Sequence, residues 1–391
     1  MGDLAATLAR RGQHVVVLTA DRGYDDPSRA YPRRETSADG VHVRRLAATS
    51  FGKSTLTRRA LAIASYMTQV LIVLIGLRDL DAIVFSTSPP FVGVIAALIG
   101  ELRRVPTVFW AMDLNPDQLI ALGKLAPDST LARVFRTCNR FFLHRAARVV
   151  ALDTVMARRL VAAGAPADRT TVTPPWSPDD DLAPVPREQN VFRRTHGLEQ
   201  KTVVMYSGNH TPSNPLRTLL DAAVRLQDVR SLRFVFVGSG LAKRDVEHYA
   251  TEYALDSIVS LPYQPRESLA DSLSAADIHV VSLGDAMAGI IHPCKVYGAM
   301  AVSRPILYFG PRPSHVTEIV ERHGNGWIVA HGDVDTAERV LREIAATPTD
   351  TLDRMGAAGA AAVASSLDPR VLCAAVADAV TDALAQTGSE A

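Results

Sequence analysis

Eight short runs rich in β-branched and other apolar residues, at 14–20, 82–87, 107–112, 148–152, 202–208, 233–240, 278–283 and 305–310, are separated by stretches long enough to form helices. Near-continuous apolar strands alternating with helices of ten or more residues predict parallel sheets covered on both faces. The fold class is therefore α/β. With 391 residues the chain has room for two or three domains. The best boundary is the segment from Pro174 to Arg194, which holds five prolines and the run Asp179-Asp180-Asp181 and shows no periodicity. The predicted plan is two doubly wound, Rossmann-like domains facing a central cleft: 1–178, a linker at 179–200, and 201–370, with a C-terminal helix and tail at 371–391.

The net charge of +1 conceals an asymmetry of +7 over residues 1–180 and −6 over residues 181–391. The arginines of the basic half are scattered over many short segments, with no aromatic-interleaved stripe or recognition helix. Nucleic acid is thereby disfavoured against an anionic membrane surface or a phosphorylated acceptor. Cys138, Cys294 and Cys373 are odd in number and widely spaced. They form neither a disulfide framework nor a CxxC pair, which fits a reducing cytoplasm. The first ten residues carry no signal-peptide pattern. Ala60–Leu77 is uncharged and just reaches spanning length, yet Ser65, Thr68 and Gln69 favour a buried or interface-lying helix over a membrane span.

The start of the chain is unusual for such a domain. Residues 3–10 read as a helix stopped at Gly12, and the following run as a strand. A doubly wound domain places a central strand and a glycine-rich turn before that helix, so the expectation is a first domain lacking its first strand, with the true start upstream of Met1.

Four segments stand where cleft residues belong. Gly208-Asn209-His210 follows one strand and precedes a helix start, an arrangement that lets backbone and amides approach a phosphate and that is also an ordinary turn. His210 reads equally as a phosphate donor or as a solvent-facing loop residue. Gly238-Ser239-Gly240 repeats the pattern without the third glycine of a dinucleotide fingerprint, and Lys243 beyond it reads as a solvated helix residue. Gly289 through Met300 runs from a glycine-containing loop into a helix whose first turn holds Lys295, which suits a diphosphate; the alternative is a packed helix with Lys295 in water. Cys294, without a partner pattern, reads as a packed thiol. Asp113, after the strand ending at Met112, is the leading carboxylate for a reacting centre.

The ordered series LARRGQHVVVLTA, TSPPF, WAMDLNPDQLIALG, AARVVALDTVMARRLVAAG, TPPW, YSGNH, FVFVGSG, LPYQPRESLADSLSAADIHVVSL and HPCKVYGAMAVSRPILY resembles the retaining GT-B glycosyltransferases of family four, in particular the colanic-acid-type, WcaI-like subgroup. The resemblance covers almost the whole chain. It implies a nucleotide-diphosphate sugar, UDP- or GDP-linked, held mainly by the second domain, and a lipid-linked or polysaccharide acceptor at the first. Gly208 and Asn209 would sit at the diphosphate with Gly238 nearby, and Tyr263 and Gln264 beside the base. Gly289, Ile290 and Ile291 would lie against the transferred sugar, and Lys295 would neutralise the leaving diphosphate. No metal or other cofactor is implied.

This chain departs from the family at three places. Ile290 and Gly298 stand where two Glu residues are usual. Asn214 replaces a basic residue, leaving His210 or Arg217 as substitutes. The usual acceptor loop would precede Met1. Transfer of a sugar to a cell-surface glycan precursor, at the cytoplasmic face and in contact with the inner leaflet, is the expected function. A sugar-nucleotide epimerase of the same fold and a degenerate, non-catalytic relative are the alternatives.

Overall fold

The structure is a computed structural model that describes residues 1–22, 30–47, 56–176 and 182–389. The Asp179–Asp181 run lies outside these residues. The first domain holds β1 (Val16–Ala20), β2 (Arg34–Thr36) and β3 (His42–Leu46) in the order β1-β3-β2, with only β2 antiparallel. A second piece of sheet comprises β4 (Ile83–Ser86), β5 (Thr107–Trp110), β6 (Arg148–Ala151) and β7 (Thr170–Val172), parallel and in sequence order. Among the described residues no strand bridges β1 and β4. The described strands of the first domain thus form two separate sheets.

The second domain carries one parallel sheet of six strands: β8 (Thr202–Ser207), β9 (Leu232–Val237), β10 (Ile258–Leu261), β11 (Ile278–Ser282), β12 (Ile306–Phe309) and β13 (Gly326–Val329). The order is β10-β9-β8-β11-β12-β13. The winding reverses between β8 and β11, and loops leaving neighbouring strands in opposite directions open a crevice at their carboxyl ends. β11 and β12 are buried along their whole length, as their unbroken apolar sequences require under helices on both faces.

Two elements depart from the predicted plan. Residues 187–200, expected as linker, pack on the second sheet. Arg193 is buried there, paired with Asp277 at 3.2 Å and donating to the carbonyls of Ala275, Leu198 and Lys201. A buried guanidinium is tolerated because nearly all of its donors are satisfied, something no local sequence pattern reveals. The helix Pro369–Ser389 returns to the first domain, where Cys373, Val376 and Ala383 share a core with Leu4 and Leu8. The helix Leu56–Gly76 turns Val70, Val73 and Leu74 into that same core. Among the described residues no helix is long and apolar enough to cross a membrane.

Candidate functional site

The carboxyl ends of β8, β9 and β10 form a floor of close backbone approaches. Gly208 has φ +126°, and a Cβ placed there would lie 2.6 Å from Cε of Lys295. Gly238 has φ +125°; a Cβ there would strike the Gly208 carbonyl and come within 3.3 Å of the Tyr263 ring. Both positions require glycine for backbone conformation and for space. They bring Gly208, Gly238, Tyr263 and Lys295 together from four separate segments of sequence. Asn209 lies beside them, its Oδ1 filling the place that a Cβ on Gly240 would need. Gln264 is half-buried, its amide donating back to the Pro262 carbonyl at 3.0 Å.

Lys295 opens the helix Lys295–Ala301, and its Nζ lies 5.1 Å from the centroid of the Tyr206 ring. Burial lowers its pKa, and among the described residues it has no carboxylate partner. An ammonium withdrawn from water without a counter-ion is costly unless an anion joins it. Since the helix is only seven residues long, the ammonium is the stronger anion ligand here.

His210 is neither at the surface nor charged. It is fully buried, with Nδ1 3.0 Å from the Gly208 carbonyl, and burial with nearby Lys243 and Lys295 brings its pKa down to about 4. A neutral ring that donates from Nδ1 braces the Gly208 turn. Sequence reasoning missed Lys243. Its Nζ donates to the Gly238 carbonyl at 2.6 Å and to that of Leu261, tying the ends of β9 and β10. No local pattern distinguishes it from a solvated lysine; only the pairing of β9 with β10 delivers those carbonyls. Arg217 lies outside the cluster. It is exposed, paired with Asp221 at 3.1 Å one helical turn on, with its guanidinium 5.3 Å from the Tyr249 ring centroid.

The loop before Lys295 serves the domain boundary. Gly289 (φ +68°) abuts the backbone of Val155 and Met156, where a Cβ would come within 2.8 Å of the first domain. Ile290 is buried in the first domain's core, and its carbonyl accepts from the Leu114 amide at 2.9 Å. The side chain of Ile290 thus points away from the crevice above β8, and Ile291 packs at the same seam. Asp113 extends from the end of β5 with its carboxylate exposed, and desolvation by its surroundings raises its pKa. Its charge acts on Cys294, whose thiol is pushed up by burial and then by Asp113. Through the bond of its neighbour Leu114 to Ile290, Asp113 is held beside the loop that leads to Lys295. Cys294 keeps exposed surface instead of packing in a core, because the helix starting at Lys295 turns Val296 and Tyr297 inward.

Two doubly wound domains whose carboxyl-end loops meet over a glycine-lined, cationic crevice form the GT-B arrangement. Residues 1–176 match the family described as "Glycosyl transferase 4-like domain" and residues 201–346 the family "Glycosyl transferases group 1". The chain belongs with the GT-B-fold glycosyltransferases related to family four. It is 26% identical over 267 residues to WbjE of Pseudomonas aeruginosa, named as a probable glycosyltransferase, covering 68% of this chain and 66% of that one. It is also 26% identical over 209 residues to WcaI of Escherichia coli (strain K12), whose name assigns it to colanic acid biosynthesis, covering 52% and 51%. The matches thus span two-thirds or less of these relatives. In fold it is similar to HepE of Anabaena in complex with UDP-glucose, with a TM-score of 0.69 and 14% identity over 94% of this chain and 100% of that one.

Proposed function

We propose that the protein transfers a sugar from a nucleotide-diphosphate donor to a lipid-linked or polysaccharide acceptor in the synthesis of a cell-surface glycan. The observation that carries this reading is the half-buried ammonium of Lys295, without a carboxylate partner among the described residues and set against the Gly208 turn at the switch point of the second sheet. A diphosphate placed there has a cation on one side and backbone that approaches closely on the other. As the bond from the anomeric carbon to the diphosphate breaks, its electron pair goes to the leaving oxygen. Lys295 stabilises that developing charge without a metal. Gly208, Asn209 and Gly238 border the diphosphate, and Tyr263 and Gln264 flank the base. His210 and Lys243 act beneath them by holding the turns. Asp113, with its pKa raised by desolvation, is placed to take the proton of the attacking acceptor hydroxyl.

The similarity to WcaI, named for colanic acid biosynthesis, supports a glycan-precursor acceptor, and the HepE complex supports UDP among the possible donor bases. The first domain exposes Leu61, Ile72 and Ile75 on one helix and Leu98 and Leu102 on another. With the positive charge of the first half, these suit contact with an anionic inner leaflet. The test is release of nucleotide diphosphate from UDP-, GDP-, ADP- and TDP-sugars with polyprenyl-linked acceptors. Turnover that needs an acceptor and vanishes in Lys295→Ala supports the reading. Isomerisation of the sugar without acceptor would select an epimerase, and neither binding nor turnover a non-catalytic relative.

A further inference from the structure

Behind the Lys295 loop, four polar side chains from both domains form one hydrogen-bonded chain. Asp153 Oδ2 lies 3.2 Å from Nδ1 of His292, His292 Nε2 lies 2.8 Å from the Tyr297 hydroxyl, and that hydroxyl lies 2.9 Å from Nε2 of His315. Asp153 belongs to the first domain, where its other oxygen accepts from the Met156 amide at 2.7 Å and caps the helix Thr154–Ala162. His292, Tyr297 and His315 belong to the second. The side chains of His292 and Asp153 are 1% and 5% exposed, so this pair is sealed from water although it crosses the domain boundary.

Ionised Asp153 only accepts, so His292 donates from Nδ1. Beyond it the Tyr297 hydroxyl links Nε2 of His292 to Nε2 of His315, donating to one ring and accepting from the other. The charges agree with this assignment. Burial pushes the Asp153 carboxyl up, but the bonds from His292 and Met156 outweigh it and leave its pKa below the ordinary carboxylate range. Burial and His292 hold His315 neutral. Around the chain, Thr154 donates to Glu318 at 2.9 Å and Arg159 to the Ala288 carbonyl at 2.8 Å, both across the same boundary.

We infer that Asp153, His292, Tyr297 and His315 form an interdomain clasp, and that His292, three residues before Lys295, is a positioning residue that holds the Lys295 loop over the donor site when the domains close. The inference rests on the donor role of Lys295 given above. The clasp ends on a carboxylate of the opposite domain, so opening the cleft removes the partner of His292 and frees the loop at its domain-boundary side. Donor affinity and domain closure are therefore one equilibrium.

The test uses the full chain carrying Asp153→Asn, which keeps a helix-capping side chain but loses the charge, and separately Tyr297→Phe, which keeps the ring but breaks the chain. Small-angle scattering reads domain opening without any ligand, circular dichroism reads folding, and titration with UDP-glucose reads affinity. The expected result is a larger radius of gyration at unchanged helix content, with UDP-glucose affinity weakened on the order of ten- to hundredfold. The double variant should lose no more affinity than the worse single one, because both break the same chain. Folded variants with wild-type scattering and affinity would overturn the clasp. Lys295→Ala separates the two readings: it should weaken UDP-glucose binding with scattering unchanged, and if binding stays intact the donor-site reading fails whatever the clasp variants do.

Discussion

Replacing Lys295 by Met should move stability with and without nucleotide in opposite directions. In the free protein the ammonium is desolvated, with no carboxylate partner among the described residues. An isosteric thioether removes that burden, so the melting temperature without ligand should hold or rise. With nucleotide the order reverses. A charge-assisted bond from Lys295 to a phosphate oxygen is worth about 2 kcal/mol, roughly a 30-fold change in Kd. Nucleotide at 100 times its Kd stabilises the wild type by about 2.7 kcal/mol, whereas the same concentration is only about 3 times the variant's Kd and adds about 0.8 kcal/mol. At about 2–4 °C per kcal/mol for a unit of this size, the shift drops from roughly 5–10 °C to about 2–3 °C. Differential scanning fluorimetry of the full chain with UDP, GDP, ADP and TDP measures both arms. A variant that keeps the wild-type shift would remove Lys295 from the donor site.

Gly238→Ala should abolish nucleotide binding and cost about 3 kcal/mol or more of stability, because its Cβ meets the Gly208 carbonyl at a backbone angle that alanine rarely adopts; calorimetry and chemical denaturation read the two effects. Arg217→Ala should leave nucleotide affinity and the melting temperature unchanged, since its exposed ion pair with Asp221 contributes little. The pKa of His279 is lowered to about 4 by complete burial, and that of His210 is also about 4. Between that pH and about 6.5 the unfolded chain binds more protons than the folded one, so stability falls as pH drops through this window, by on the order of a few kcal/mol. Melting temperatures from pH 7.5 to 5 should show it, and His279→Gln should flatten the slope.

The strand-and-helix order, the two-domain plan and the glycines at strand ends were legible because each depends on neighbours in sequence. Apolar runs mark buried parallel strands, and a glycine directly after a strand marks a turn that a side chain would obstruct. The approach of Lys295 to Gly208 came only through the family resemblance, which put both at one diphosphate. What the sequence left open depended on how the chain packs, often against partners far away in sequence. Lys243 looked solvated until β9 and β10 presented the carbonyls of Gly238 and Leu261 to it. His210, read equally as a phosphate donor or as a solvent-facing loop residue, is instead buried by packing on Tyr206. Arg217 looked available until helical spacing gave it to Asp221. Ile290, read as a donor contact, belongs to the core of the other domain, and His292 became part of a buried chain only where Asp153 met it. Local sequence determined the elements and the backbone turns, because strand and turn preferences act over a few residues. Tertiary structure alone decided which polar groups are satisfied and which charge waits for a ligand, because desolvation and hydrogen bonding depend on every atom that closes over the group.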